Sequence, residues 1–137
     1  MSYAGDVTPE QAWSALRDDP AAVLVDVRTT AEWSYVGLPD LAAIGKDVVL
    51  VEWQTYPIGA VNERFTAQLE AVGVGRDAPV YFLCRSGVRS VSAAEAASRA
   101  GWMRAHNVLD GFEGPHDGHR HRTVAGWKVA GLPWVQG

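Results

Sequence analysis

The chain of 137 residues predicts a single α/β domain built on a parallel sheet, and three observations point there. Short, predominantly apolar runs recur at 22–27, 48–51 and 80–83, with Asp26 the one charged residue among them. Runs of that length without polar alternation suit strands covered on both faces, the pattern of a parallel sheet. Segments of helical periodicity separate them, and alternating strands and helices imply βαβ units with right-handed crossovers. The length suits one domain able to bury a core without disulfides or a structural metal.

In chain order, Thr8 can cap a first helix, Pro9 suits its first position and Gln11 can close a capping box. Ala12, Trp13 and Leu16 form its apolar face to about Arg17, and Asp18-Asp19-Pro20 ends it. The run at 22–27 is the first strand, and 29–33 reads as a short helix. Gly37-Leu38-Pro39-Asp40 reads as a turn. The run at 48–51 is a second buried strand. A helix over 62–72 carries Phe65, Leu69 and Val72 on one face and is closed by Gly73 and Gly75. The third strand, 80–83, ends at Cys84, a tight loop covers 85–89, and an alanine-rich helix runs from Ser90 to Ala100 before Gly101. A weak last strand at 106–109 precedes a Gly/Pro-containing loop over 110–122 and a final helix at 123–129. The tail from Pro133 is expected to pack, because Trp134 would otherwise be exposed.

Apolar residues make up 47% and charged residues 20%, which marks a globular chain rather than a disordered one. A net charge of -4 gives no reason to expect a nucleic-acid or membrane partner. Cys84 is the one cysteine, which rules out an internal disulfide and a Cys-rich zinc site and suits a reducing compartment. The N-terminus shows no basic segment followed by an apolar run, and no stretch approaches the roughly 20 apolar residues of a membrane span. The expected location is the cytoplasm.

The informative stretch is the strand leading into Cys84-Arg85-Ser86-Gly87-Val88-Arg89-Ser90. Ligands of open α/β sheets bind at the carboxyl ends of strands, where Cys84 falls. The loop behind it enters a helix N-terminus, whose free N–H groups and positive dipole end attract anions. Gly87 lets successive amides turn inward as a nest, and Arg85 and Arg89 add positive charge. All three effects favour thiolate over thiol and would steady a persulfide anion, Cys-S-S⁻. The bland reading is a small buried hydrophobe after a strand, but such a cysteine has no use for two arginines, a serine and a glycine behind it.

Several segments together resemble the rhodanese family. Asp26-Val27-Arg28 with Glu32-Trp33 resembles its D-V-R-x-x-x-E-[FWY] signature, and 84–90 its active-site loop. Asn107-Val108-Leu109-Asp110-Gly111, Gly126-Trp127-Lys128 and Gly131-Leu132-Pro133 resemble its C-terminal pattern. The resemblance covers roughly 8–134 and implies a three-layer α/β/α fold with a mostly parallel five-stranded sheet. It further implies sulfur transfer through a Cys84 persulfide, a cradle made by the amides of Arg85, Ser86, Gly87, Val88, Arg89 and Ser90, and donor binding by the loop arginines. Asp26, Arg28 and Glu32 would support the structure, with Arg28 and Glu32 paired near the end of the first strand. No cofactor or metal is implied. The partners would be a small sulfur donor such as thiosulfate and an acceptor, cyanide or a thiol, with a protein acceptor also open. The chain departs from the pattern twice: 34–40 lacks the family's usual histidine, and 112–123 is an insertion.

Two other classes compete. A cysteine phosphatase or arsenate reductase uses a C-x5-R loop, whereas Cys84 to Arg89 is C-x4-R, too small a ring for a tetrahedral oxyanion. A non-catalytic, partner-docking module would not need the cysteine that this chain keeps. His116, His119 and His121 lie beside Asp117 in the insertion. They read better as a solvated loop than as a metal site, since nothing completes a tetrahedral set. Of six tryptophans, most read as core, and Trp53 could line a pocket.

Overall fold

The computed structural model describes residues 3–55, 60–85, 88–113 and 126–135. Five strands form one sheet: β1 (Gly5–Val7), β2 (Val23–Asp26), β4 (Val49–Leu50), β7 (Val80–Leu83) and β8 (Ala105–Val108), in the order β1-β8-β7-β2-β4. Every pairing in it is parallel, so the expected five-stranded α/β sheet is present. The helices are α1 (Pro9–Asp18), α2 (Thr30–Tyr35), α3 (Phe65–Ala71) and α4 (Val88–Arg99). A 3-10 turn at Ala42–Ile44 and two antiparallel ribbons, β3 (Leu38–Pro39) with β9 (Trp134–Val135) and β5 (Gln54–Thr55) with β6 (Ala60–Val61), complete the elements among the described residues.

The central strands show why their sequences lack polar alternation. Successive side chains of a strand point to opposite faces. Along β7, Val80 and Phe82 enter one core with Phe65, Leu69, Ala93, Ala94, Ala97 and Trp102. Tyr81 and Leu83 enter the other with Ala12, Leu16, Phe112 and Trp127. Along β2, Val25 joins the first and Leu24 the second. Both faces are covered by helix or loop, so both must be apolar. Trp102 and Trp127 are fully buried anchors of the two layers. Their ring N–H groups are satisfied, donating to Val74 O and Pro133 O.

The capping residues work as their chemistry requires. Thr8 accepts from Gln11 N while the Gln11 side chain accepts from Thr8 N, a closed capping box with Pro9 at the first helical position. Thr29 and Glu32 make a second capping box on α2.

Several expectations need correction. The run at 48–51 is not a buried central strand: only Val49–Leu50 pairs, at the sheet edge, with Leu50 39% exposed. The edge explains the difference, since it has one neighbour. The helix expected over 62–72 is α3, shorter at both ends, with Phe65 and Leu69 buried but Val72 exposed. α4 starts at Val88, so Val88 and Arg89 belong to its first turn rather than to the preceding loop. Of the final helix expected over 123–129, residues 123–125 lie outside the described residues, and 126–129 form a bend and turns rather than helix. The region read as a turn at 37–40 contains β3. Gly37 sits there at φ 120, where a Cβ would meet Val135 O at 2.7 Å, so only glycine lets the tail strand close in. The tail pairs with β3 as expected, but the pairing does not bury the ring: Trp134 stays 39% exposed. Trp53 packs edge-on against Phe65 at 5.2 Å, a core contact.

Candidate functional site

The parity of β7 carries Cys84 into the layer of Val80 and Phe82, toward α4. Its backbone is held on both sides. Val27 N donates to Leu83 O at 2.8 Å from the β2 side. From the β8 side Phe112 N donates to Cys84 O at 2.8 Å and Glu113 N to Arg85 O at 2.9 Å. A second layer holds the first, since Trp127 N donates to Gly111 O and Lys128 N to Phe112 O. The turn approaches closely because of Gly111. At φ 58, a Cβ there would lie 2.4 Å from Cys84 O and 2.7 Å from the Arg85 carbonyl carbon. Its sequence signal was present in the Asp110-Gly111 pair, but not the neighbour it accommodates.

Cys84 is 1% exposed. Its sulfur lies 3.2 Å from the hydroxyl of Ser90, a fully buried residue on the first turns of α4. Ser90 Oγ donates in turn to Asn107 Oδ1 at 2.5 Å, and Asn107 Nδ2 donates to Asp6 Oδ1 at 3.0 Å. Asn107 lies on β8 and faces Asp6 of β1 in register. Reading the sequence assigned Asn107 no role beyond the motif and assigned Asp6 none.

Two arginine–carboxylate pairs flank this end of the sheet, and neither is the Arg28–Glu32 pair expected from the sequence. Arg28 Nε donates to Asp26 Oδ1 at 2.9 Å, and its Nη2 reaches Asp26 Oδ2 and Gly37 O, both at 2.6 Å. Its guanidinium also stacks over the Phe112 ring, 4.3 Å from the centroid. Glu32 instead meets Arg89, with Nη1 to Oε1 at 2.6 Å and Nη2 to Oε2 at 2.9 Å. The reason is geometric: a side chain two residues away reaches back to Asp26 at the strand end, while Glu32 lies on α2, facing the start of α4. Burial pushes the Glu32 carboxyl up, but the Arg89 hydrogen bonds and charge outweigh it and hold it below its usual range. Arg89 is raised by its hydrogen bonds to Glu32 against the cost of burial, and the charges of Glu32, Cys84 and Asp26 add to the rise.

Arg85 is half exposed and lies 3.5 Å from Glu113. The structure thus brings Cys84, Ser90 and Arg89 together at one strand end, with Arg85 on the exposed side. Ser86 and Gly87 lie outside the described residues, as do His116, His119 and His121, and the side chain of Val88 is not described. Among the described residues no group of three or more His, Cys, Asp or Glu could hold a metal ion, and no helix is long and apolar enough to cross a membrane.

Comparison with known proteins places these features in a lineage. The family model described as the STR4 middle domain matches residues 4–137. A crystal structure of Rv0390 from M. tuberculosis superposes with a TM-score of 0.92 at 57% identity, covering 99% of this chain and 100% of that one. An uncharacterized protein of Rickettsia conorii is 36% identical over 130 residues, 94% of this chain and 95% of its own length. The chloroplastic rhodanese-like domain-containing protein 4 of Arabidopsis thaliana is 25% identical over 132 residues, 96% of this chain but 26% of the plant protein.

Proposed function

Because the chain belongs to the STR4 middle-domain family of rhodanese-like proteins, we propose that it is a sulfurtransferase that carries sulfane sulfur on Cys84. The single observation that supports this most is where the sulfur sits. Cys84 follows the last residue of the central strand β7, four residues before α4 begins, with the Ser90 hydroxyl 3.2 Å from it. A strand end facing a helix N-terminus is where an anionic sulfur is best stabilised.

The reaction is a double displacement. The Cys84 thiolate attacks the outer sulfur of thiosulfate, forming the Sγ–S bond as the S–SO₃ bond breaks. Sulfite leaves with that bonding pair, and a persulfide anion remains on Cys84. Cyanide or an external thiolate then attacks the outer sulfur and returns the cysteine as thiolate. With one cysteine in the chain, no internal thiol can resolve the persulfide, so the acceptor comes from outside. Arg85, on the exposed side of the site, draws the anionic donor in. Arg89 is bound at two points to Glu32 and acts mainly by holding α2 against the start of α4. That same commitment weighs against phosphatase or arsenate chemistry, which needs the arginine for its oxyanion.

A second reading is favoured by one specific observation. A sulfur 1% exposed, beside arginines already matched by carboxylates, also fits a module that docks partners without turning over sulfur. Intact-mass measurement after thiosulfate treatment decides between them. The carrier reading expects a gain of one sulfur atom in the native chain, reversed by cyanide and absent in Cys84→Ser. No gain under saturating donor, with the fold intact, would leave the docking reading in its place.

A further inference from the structure

We propose that Lys46 is a nucleophilic amine and a site of acylation, which takes short acyl groups from thioesters in the cavity it lines at the amino ends of β2 and β4. The site lies at the far end of the sheet from Cys84 and stands independently of the sulfur-carrier reading. β2 and β7 pair in parallel, and Cys84 follows the carboxyl end of β7, whereas Ala22 and Val23 lead into β2 at the opposite end.

Lys46 Nζ donates to Asp19 O at 2.8 Å and to Ala22 O at 2.5 Å. Asp19 closes α1, and Ala22 precedes β2. No third partner meets the nitrogen among the described residues. An ammonium has three N–H groups, so one is left over. A neutral amine has two, so both carbonyls keep their donors when it forms, and the lone pair lies where the third hydrogen was. Deprotonation therefore breaks no bond to the protein. Burial favours it too, holding Lys46 below the ordinary lysine range against the opposing charge of Asp19. Of the other charges nearby, Asp47 adjoins Lys46 in sequence, and Arg17 and Asp18 on the last turn of α1 pair with each other. The Asp19 carboxylate accepts from Ala21 N at 2.9 Å.

A lysine tying down a helix C-terminus has a purely structural use. An arginine would fill that use with a charge it cannot lose. The chain has ten arginines and two lysines, Lys46 and Lys128, and one of the two stands here. The structural use also leaves the cavity unexplained. It has a volume of about 220 Å³ and is lined by Pro20, Val23, Leu24 and Val49 beside Lys46 and Asp47. That is small for a drug-sized ligand, and its apolar strand residues suit a short acyl tail better than an ion. In the reaction the amine lone pair attacks the thioester carbonyl carbon. The C–N bond forms, the C–S bond breaks, and the thiolate leaves with the bonding pair and takes up the proton that nitrogen sheds. The amide product keeps one N–H, so one carbonyl loses its donor, and the positive charge at the end of α1 is lost. Acylation thereby loosens the junction of α1 with β2.

The test times acetylation of Lys46 by the uncharged thioester N,S-diacetylcysteamine at mildly alkaline pH. Peptide mass separates Lys46 from Lys128, and Nα-acetyllysine amide in the same tubes corrects for solvent. The rate at Lys46 should be several-fold higher in the native chain than in the guanidinium-unfolded chain. A lysine that serves only as a cap is protected by folding, so a native rate equal to or below the unfolded one would overturn the proposal. Lys46→Arg keeps a donor for the carbonyls, and its peptide should stay unmodified while Lys128 labels as before. The native chain acetylated at Lys46 should unfold at lower denaturant than Lys46→Arg, and equal midpoints would overturn the loosening of α1 from β2.

Discussion

Arg28–Asp26 and Arg89–Glu32 are the same chemical pair in two settings, one at each side of the strand end that carries Cys84. In the first, both side chains are 0% exposed. Asp26 takes the arginine through Nε and Nη2, Gly37 O takes a further bond, and Phe112 covers the guanidinium face. In the second, the side chains are 20% and 19% exposed and the pair bridges two helices. A dry pair is weak evidence of net stabilisation, because desolvation offsets the attraction, but breaking it strands a charge. A wetter pair is less costly to break and more open to electrostatic change. The comparison assigns Arg28–Asp26 to holding the β2 end, Gly37 and the Phe112 turn together, and Arg89–Glu32 to setting where α4 begins relative to the sulfur.

The largest effect that tests this contrast is expected from Arg28→Met. It leaves the Asp26 carboxylate buried without its partner, which costs about 3–5 kcal/mol, read as a fall in the urea unfolding midpoint. Asp26→Asn combined with Arg28→Met should recover part of it. A single-variant loss below about 1 kcal/mol would mean that the pair is not dry in solution. Next is Gly111→Ala, which meets the carbonyl of Cys84 and an unfavourable positive φ together. It should cost about 1–3 kcal/mol and slow sulfur loading by displacing the cysteine backbone. Unchanged loading would show that the turn does not position Cys84.

Glu32→Gln should cost less, about 1.5 kcal/mol, the low end for hydrogen bonds to charged groups, because water reaches the pair. It also carries a pH signature. The folded Glu32 carboxyl is held below its ordinary value, so its contribution is present above the unfolded carboxylate range and is lost as pH falls through the lower folded value. The unfolding midpoint of the native chain should therefore drop more steeply on acidification than that of Glu32→Gln, and parallel profiles would refute the assignment. The smallest effect belongs to Lys128→Ala, whose ammonium lies 4.0 Å over the Trp134 ring. Its loss should cost about 0.5–1 kcal/mol and be visible as a change in tryptophan fluorescence on the tail.

Most of the framework was legible in the order of residues. The runs at 22–27 and 80–83 lack polar alternation, Asp26 at the end of β2 apart, because both faces of β2 and β7 are buried, and that double burial is itself the signature of a parallel sheet. The Thr8–Gln11 capping box and the place of Cys84 at a strand end are local facts, settled within a few residues. β1 was not legible: it is three residues long, Gly5 and Asp6 have little strand preference, Val7 alone is too short a signal, and the segment pairs because β8 offers an edge. The same holds for the ribbon of β3 and β9, whose partners are nearly a hundred residues apart.

What residue order alone determined, then, is the sheet's core strands, the helix starts, and the position of one sulfur where β7 ends. Which carboxylate each arginine takes, and that the sulfur connects through Ser90 and Asn107 to an aspartate on the far edge strand, only the tertiary structure decided. Hydrophobic periodicity and capping are written in neighbours along the chain, whereas a charge or a hydroxyl chooses its partner by distance in space, and that distance exists only once the strands are ordered side by side.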